Sequence, residues 1–414
     1  MQANSFSIFR FSCTAILLSI LFAGCSSDEQ ALDASTTVAY ANARIITGLN
    51  EAAIEVGTIV VDNGLIITAG ASSEVNIPAG AARIDLAGAT LMPMMADTHV
   101  HMSTNLDGLV QDLKNRVHFG VNAAMSLGMD NDDAVFAVQQ NTPSGAAHYF
   151  TAGRGITRTE PGRTEAPHWV ETTDEARDAV RAEAARGVDI IKIWVDERGG
   201  QYEKMTPELY GAVIDEAHVN GIRVTAHIFN LEDAKGLLEA GIDSFAHGVR
   251  DIDIDDEFVA MVQARPDVVL VPNMPYRGIP TDYSWMGGFV SAEQFQNLQS
   301  QRPNLQSQES WSIQARNLDR LNQAGMRIVL GTDGNTPYAA HVEIEDMVIA
   351  GMTTMEAIVA ATSNSAEFLG MDDTGSLTVG KSADFIVLNA NPLEDITNTR
   401  QIRAVYLRGD RVER

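Results

Sequence analysis

The chain has 414 residues, of which 45% are hydrophobic and 20% charged, and this is the composition of an ordinary globular protein. Its length accommodates a large domain of roughly 250 residues together with a smaller second unit. The formal net charge of -26 argues against binding to nucleic acid, because a phosphate backbone would be repelled, and it disfavours a polyanionic substrate for the same reason.

The first 24 residues are predicted to be a signal peptide rather than part of the fold. Residues 11–24 are apolar, too short for a comfortable membrane span, and lead directly into Cys25. Residues 21–25, LFAGC, resemble a bacterial lipobox, in which the cysteine is acylated and becomes the new N-terminus, although Phe22 replaces the usual aliphatic residue. The alternative is an ordinary cleaved signal peptide. Residues 25–37 are then expected to form a polar linker.

We therefore expect a lipoprotein on the periplasmic face of the bacterial outer membrane, held there by its acyl chains alone. Ser26 is not the aspartate that often retains lipoproteins at the inner membrane. The alternative is a soluble periplasmic or secreted protein. Cys13 and Cys25 are the only cysteines, so a metal site in the mature protein must use nitrogen and oxygen ligands.

The remaining chain divides into two units by its hydrophobic pattern. Residues 38–91 and 375–414 contain short β-type runs separated by glycine-bearing turns, and they predict one discontinuous β-sandwich formed by both termini. Residues 92–374 alternate strand and helix patterns, which predicts an α/β fold of the (β/α)8 TIM-barrel type. Residues 280–310 are rich in Gln, Ser and Asn and are expected to cover the mouth of the barrel. The eight predicted barrel strands are Thr90–Ala96, Val121–Leu127, His148–Ala152, Asp189–Val195, Ile222–Ile228, Ser244–His247, Val268–Pro272 and Arg327–Thr332.

Histidine, lysine and aspartate residues recur near the C-terminal ends of these strands, where a barrel gathers its active site. His99 and His101 are two residues apart, so an extended chain places both imidazoles on one face, where they can bind one cation. Lys192 lies in an apolar run, where burial favours loss of its proton unless its amine escapes along the barrel wall. A neutral amine can add carbon dioxide to form a carbamate, whose two oxygens can bridge two cations.

His227 and His247 each end a predicted strand, and Asp333 follows the last one. Each of these residues has an ordinary alternative explanation: a histidine satisfied in the core, or an aspartate that caps a turn or helix. The complete set is harder to explain by accident, because all of its members fall near strand ends. The sequence therefore predicts a metal-dependent hydrolase. Covalent serine or cysteine catalysis lacks support, since no GxSxG motif stands beside a candidate triad and no thiol is available.

These motifs resemble the amidohydrolase superfamily, in its prolidase-like and imidazolonepropionase-like branch. The resemblance covers roughly residues 38–414 and rests on DTHVH, IKIW, TAHIF, FAHG, GTDG, ATSNSAEFLG and GSLTVGKSADFIVL. It implies two divalent ions, expected to be zinc, with iron, manganese or nickel as alternatives. Imidazolonepropionase does not use such a lysine, which shifts the comparison towards the binuclear, prolidase-like members. The implied ligands are His99, His101 and Asp333 for one ion, His227 and His247 for the other, and a carboxylated Lys192 as the bridge.

The resemblance implies hydrolysis of an amide or peptide C–N bond in a small molecule, such as a dipeptide or an N-acyl amino acid, by a metal-bound hydroxide. Asp333 would carry a proton from the water to the leaving amine, and His247 would help to polarise the carbonyl. Opening of a cyclic amide, an ester or a lactone is the alternative reaction. A binding lipoprotein without catalysis is a third hypothesis, and the complete ligand set argues against it. Candidate substrate-binding loop residues, each with a solvated loop position as its alternative, are Arg163, His168, Tyr202 and Tyr276.

Overall fold

A computed structural model of the protein describes residues 36–414. The predicted signal peptide, Cys25 and the linker up to residue 35 lie outside the described residues, so lipidation and location stay predictions. Within residues 36–414, no helix combines the length and the apolar character needed to cross a membrane.

The strands and helices of the described chain follow one another in a mostly alternating order. The strands are β1 Val38–Ile45, β2 Ile54–Asp62, β3 Leu65–Ala71, β4 Ala82–Asp85, β5 Thr90–Pro93, β6 Met95–Val100, β7 Val121–Ser126, β8 His148–Thr151, β9 Ile156–Thr157, β10 His168–Trp169, β11 Ile191–Trp194, β12 Val224–His227, β13 Ser244–Ala246, β14 Val269–Val271, β15 Arg327–Ile328, β16 Phe385–Leu388, β17 Ile402–Leu407 and β18 Asp410–Arg411. The helices are α1 Leu106–His118, α2 Ala134–Gln140, α3 Thr173–Arg186, α4 Pro207–Val219, α5 Leu231–Ala240, α6 Asp256–Gln263, α7 Ala292–Gln299, α8 Leu305–Gln323, α9 Ala340–Ile349, α10 Thr354–Val359 and α11 Ser365–Phe368. Shorter helical turns lie at Ser284–Met286, Ala360–Asn364 and Ile396–Arg400.

Both ends of the described chain contribute to one mixed sheet. Its strand order is β18-β17-β16-β5-β1-β2-β3, with β4 beside β1. A bridge between Leu65 in β3 and Ser382, just before β16, joins strands that are far apart in this order, so the sheet curls. The curled sheet encloses an apolar core that includes Tyr40, Ile59 and Phe385. The expected sandwich thus takes the form of one curled sheet, and the predicted unit boundaries stay predictions.

The central region contains two parallel sheets, β6-β7-β8 and β10-β9-β11-β12-β13-β14-β15. Parallel strands alternating with helices are the pattern of a TIM-barrel-type α/β fold. The paired strands of the described chain do not close into one ring, so the predicted closed barrel is seen only in part. Backbone hydrogen bonds cross the two gaps, among them those from Thr98 N to Leu330 O at 2.8 Å, from Asp333 N to His99 O at 2.8 Å, and from Asp189 N to Thr151 O at 2.9 Å.

The register of the larger parallel sheet aligns the ends of its central strands. Trp194 pairs with His227, His227 with Ala246, and Ala246 with Val271. Because parallel strands point the same way, the residues that follow these four positions leave the sheet at one edge. That edge carries the candidate site.

The local helix signals agree with the structure in the place where two helices begin. Helix α4 begins at Pro207, directly after Thr206, although the Thr206 side chain makes no capping hydrogen bond. Helix α10 follows a capping box in which Thr353 and Glu356 accept hydrogen bonds from each other's backbone N–H groups. Helix α7 in the polar segment 280–310 was not predicted. Its own signal was a capping box at Ser291, which the polar composition of the segment obscured.

Candidate metal centre

Four of the predicted ligands meet around one carboxylate at the edge of the parallel strands. The Nε2 atoms of His99 and His101 lie 3.2 and 3.0 Å from Asp333 Oδ1, and His247 Nε2 lies 3.6 Å from Asp333 Oδ2. One ligand atom from each of His99, His101 and Asp333 can be chosen so that all three lie within 4.8 Å of one another. Two imidazoles and a carboxylate are a donor set that suits zinc and other divalent ions, so these residues fit one ion.

His227 lies beside this group but is already engaged. Its ring centroid is 4.5 Å from that of His247, while its Nε2 lies 3.2 Å from Asp196 Oδ2 and 3.3 Å from Arg198 Nη1. The Arg198 guanidinium would repel a cation bound at this imidazole. A second ion therefore fits here only if His227 exchanges its contact with Arg198 for the ion.

Lys192 lies within the strand rather than at its end. It is the second residue of β11 and is fully buried, and within the described chain its Nζ has no hydrogen-bond partner. Burial lowers the pKa of Lys192 to about 7, although the charge of Asp333 opposes the shift. An unpaired buried ammonium is costly. Neither ring nitrogen of His247 has a hydrogen-bond partner in the described residues, so this pocket leaves several donor atoms available for a bound group.

The electrostatics of the cluster favour neutral imidazoles around an ionised carboxylate. Burial lowers the pKa of His99 to about 4 and that of His227 to about 3. Burial would by itself raise the pKa of Asp333, but the surrounding imidazoles of His99, His101 and His247 hold it well below its usual range. Neutral imidazole and ionised carboxylate are the forms that bind metal ions.

The backbone at this edge is unusually strained. Arg198, His247, Asn273 and Asp333 have φ angles of 54°, 101°, 45° and 53°, in the left-handed region that side chains other than glycine rarely adopt. Such conformations cost energy and cluster at functional sites. At Asn273 the turn places Oδ1 2.8 Å from His99 Nδ1, which fixes the ring so that its Nε2 faces the carboxylate.

Sequence reasoning assigned no role in the site to Asp196 or Arg198, and it placed Asn273 only among the loop residues expected to set substrate specificity. Asp196 and Asn273 each follow a buried parallel strand by two residues, and a polar residue at that position was the available signal. The direction of their side chains depends on left-handed loop residues, which the sequence pattern does not reveal.

The four predicted substrate-binding residues each have a partner within the chain, so their roles stay predictions. Arg163 pairs with Glu160, His168 Nε2 lies 2.7 Å from Glu183 Oε1, Tyr202 donates to Pro161 O at 3.2 Å, and Tyr276 donates to Arg302 O at 3.0 Å.

Comparison with known proteins decides the family. Residues 90–412 match the model of the amidohydrolase family. The chain belongs to the amidohydrolase family. The amidohydrolase resembles a putative prolidase from Bifidobacterium longum, with a TM-score of 0.75, 30% identity, and coverage of 92% of this chain and 95% of that one.

Two further proteins are similar to this amidohydrolase. A Xaa-Pro dipeptidase with bound methionine in its active site gives a TM-score of 0.72 at 22% identity, over 91% of this chain and 100% of that one. Ochratoxinase from Aspergillus niger is 27% identical over 241 residues, which cover 56% of this chain and 47% of the relative. The family resemblance predicted from the sequence is confirmed, and His99, His101 and Asp333 form a group that could hold a metal ion.

Proposed function

We propose that this amidohydrolase is a binuclear metal-dependent enzyme that hydrolyses the C–N bond of a dipeptide or an N-acyl amino acid. The family match and the similarity to proteins described as a putative prolidase, a dipeptidase and ochratoxinase support an amide substrate. The observation that carries the proposal is the Lys192 amine, which is fully buried and has no hydrogen-bond partner in the described chain.

The proposed ligand arrangement divides the cluster between two ions. When bound, such ions polarise a carbonyl and lower the pKa of water. Zinc is proposed, and iron, manganese or nickel would use the same donors. In this arrangement, His99, His101 and Asp333 would hold one ion, His227 and His247 would hold the other, and Lys192, once carboxylated, would supply oxygen ligands to both.

The residues of the chain account for the proton transfer that hydrolysis needs. Asp333 is ionised and central, so one of its oxygens accepts a proton from the attacking water as the new C–O bond forms. The same carboxyl then gives this proton to the amine nitrogen as the C–N bond breaks. His247 lies opposite this carboxylate and helps to orient the substrate carbonyl. Asn273 keeps the His99 ring in place during these steps.

Metal analysis and a substrate screen test the proposal together. Protein purified after expression with ample zinc should contain close to two divalent ions per chain, measured by elemental mass spectrometry. Chromatography should detect cleavage of dipeptides or N-acyl amino acids, while cyclic amides, esters and lactones in the same screen should remain intact. The matched variant Asp333→Asn should keep its circular dichroism spectrum and lose turnover by about 100-fold or more.

Each part of the proposal has its own contrary result. Protein without bound metal would contradict a metal-dependent enzyme, and one ion per chain at full activity would contradict the binuclear arrangement. Turnover of lactones or esters alone would replace the amide substrate with the alternative reaction.

A further inference from the structure

Among the described residues, the Arg250 guanidinium lies beside the candidate metal centre without forming an ion pair. Arg250, three residues after His247, is half-buried, and its backbone N–H donates to Phe229 O at 2.9 Å. Its guanidinium carbon lies 3.3 Å from the centroid of the Phe229 ring. That ring is itself 4.4 Å from the ring of His227 and 5.3 Å from that of His247. One aromatic ring therefore separates the guanidinium from the imidazoles of the site.

Stacking holds this guanidinium without using its hydrogen-bond donors. A cation over an aromatic face is attracted by the ring quadrupole, while the five N–H groups of arginine lie in its own plane. In the described chain, neither a carboxylate nor a carbonyl accepts a hydrogen bond from the Arg250 side chain. Burial lowers its pKa to about 10, so the group stays cationic at neutral pH.

Four other arginines in the loops that follow the parallel strands have carboxylate partners, and the Arg154 side chain donates to the backbone carbonyls of Glu165, Ala166 and Pro167. The carboxylate pairs are Arg158 with Glu171 and Glu203, Arg163 with Glu160, Arg198 with Asp196 and Glu160, and Arg277 with Glu345 and Asp346. Arg250 differs from them because the charges of Asp196 and Asp333 act on it without any ion pair being formed. Its charge is therefore available to a ligand at this edge.

We propose that Arg250 binds a carboxylate of the substrate, which makes the substrate an anionic amide with a carboxylate close to the scissile bond. The inference rests on the proposed function and narrows its substrate class to N-acyl amino acids and dipeptides with a free C-terminal carboxylate. The planar guanidinium can donate two parallel hydrogen bonds to such a group. It also offsets the repulsion that Asp196, Asp333 and the net charge of -26 exert on an anion.

Matched neutral compounds test this inference. A panel of dipeptides and N-acetyl amino acids is assayed on the metal-loaded enzyme, each beside its C-terminal carboxamide. The native enzyme should prefer every carboxylate compound that it cleaves over the corresponding carboxamide. Arg250→Gln should raise KM for the carboxylates by about 10- to 100-fold with little change in kcat, and should leave KM for the carboxamides unchanged. Arg250→Lys should restore part of the preference, because it keeps the charge but not the planar pair of donors.

Binding measurements separate this inference from the proposed reaction. The native holoenzyme and its Arg250→Gln variant are titrated in a calorimeter with those N-acetyl amino acids and carboxamides that neither protein cleaves. Binding of the carboxylates that depends on Arg250, with no turnover of any amide by the native enzyme, would refute the reaction and support the inference. Turnover of amides with equal KM for each carboxylate and its carboxamide would support the proposed reaction and refute the role of Arg250.

A structural role for Arg250 predicts a different outcome. Arg250→Gln would then lower kcat for carboxylates and carboxamides alike and lower the melting temperature, and that result would overturn the inference. So would a holoenzyme that binds no carboxylate better than its carboxamide. Arg316→Gln is the matched control. It removes an exposed arginine of α8 that pairs with Asp253, and it should change neither KM nor kcat.

Discussion

The Lys192 amine, at the residue scale, lies in a setting that a simple structural lysine would avoid. A snorkelling lysine extends its amine to water or to a carboxylate. Here the side chain is fully buried, and Nζ lies over the Trp194 ring, 5.5 Å from its centroid. The proposed carboxylation would replace an unpaired amine with an anion able to bind two ions, and it would thereby account for a lysine at this position.

Replacing Lys192 should therefore change metal content and not only charge. We expect Lys192→Ala to lower the number of bound ions and to reduce kcat by about 100-fold or more, because the bridging oxygens are lost. Lys192→Arg should fail as well, because a guanidinium stays protonated and cannot capture carbon dioxide. Elemental analysis and steady-state kinetics measure both effects, with Lys114→Arg on the exposed face of α1 as the control. Two bound ions and near-normal turnover in Lys192→Arg would refute the bridging role.

The proposed metal ligands and the residues that orient them differ in how well the sequence predicts them. His99, His101, His227, His247 and Asp333 could be predicted because each lies at or after a recognisable apolar strand. Their supporting partners could not be predicted in the same way. The contact between Asn273 and His99 joins positions 174 residues apart and depends on a left-handed turn. Pattern reasoning locates strand ends, whereas such a contact depends on the path of a loop.

At the scale of the secondary-structure elements, the segment that follows the short strand β15 shapes the site because its backbone packs closely against neighbouring side chains. Regular pairing ends at Ile328, and the following residues, GTDG from Gly331, pass close to β14 and β6. A Cβ atom added at Gly331 would lie 2.3 Å from Val271 Cγ1, 2.9 Å from Asn273 Nδ2 and 2.9 Å from His99 Cβ. The glycine thus permits the close approach that brings Asp333 to the imidazoles.

Gly331→Ala should disturb the site through packing alone. The added methyl group collides with Val271 and presses on Asn273 and His99, so we expect a loss of about 1–3 kcal/mol in the free energy of unfolding and weaker metal binding. Gly211→Ala in α4 is the matched control, because its Cβ would meet no atom within 4 Å and alanine favours a helix. Urea unfolding and metal titration of both variants measure the difference. A Gly331→Ala protein as stable as Gly211→Ala, with native metal affinity, would contradict this account.

For the whole molecule, the sequence predicted the fold class correctly, but it did not predict how far the parallel strands close into a barrel. Alternating strand and helix patterns identified the parallel strands, and β-type runs at both ends identified the mixed sheet. The gaps between the two parallel sheets depend on contacts between distant segments, such as the hydrogen bond from Thr98 to Leu330. Similarly, the bridge from Leu65 to Ser382 curls the mixed sheet. Local periodicity contains no information about such pairs, because either strand would look the same with another partner.

A buried histidine away from the metal centre joins distant parts of the chain and makes their stability sensitive to acid. His341 in α9 is fully buried, with Nδ1 3.1 Å from Thr399 Oγ1 and Nε2 2.9 Å from Phe119 O. Burial lowers its pKa to about 4, whereas in the unfolded chain a histidine titrates near 6.5. Between these values the unfolded state binds more protons than the folded state, so stability is full above pH 6.5 and falls as the pH approaches 4.

His341→Gln should remove this part of the acid sensitivity while keeping a side chain that can form hydrogen bonds. At pH 7.5 we expect the variant to be less stable than the native protein, because the amide fits the imidazole cavity imperfectly. On lowering the pH to 5.0, the native protein should lose about 1–2 kcal/mol more of its free energy of unfolding than the variant does, since one histidine contributes at most about 1.4 kcal/mol per pH unit. Urea unfolding of both proteins at the two pH values gives this difference directly, and comparing the two cancels the histidines of the metal centre. An identical loss in both proteins would show that His341 does not link folding to protonation.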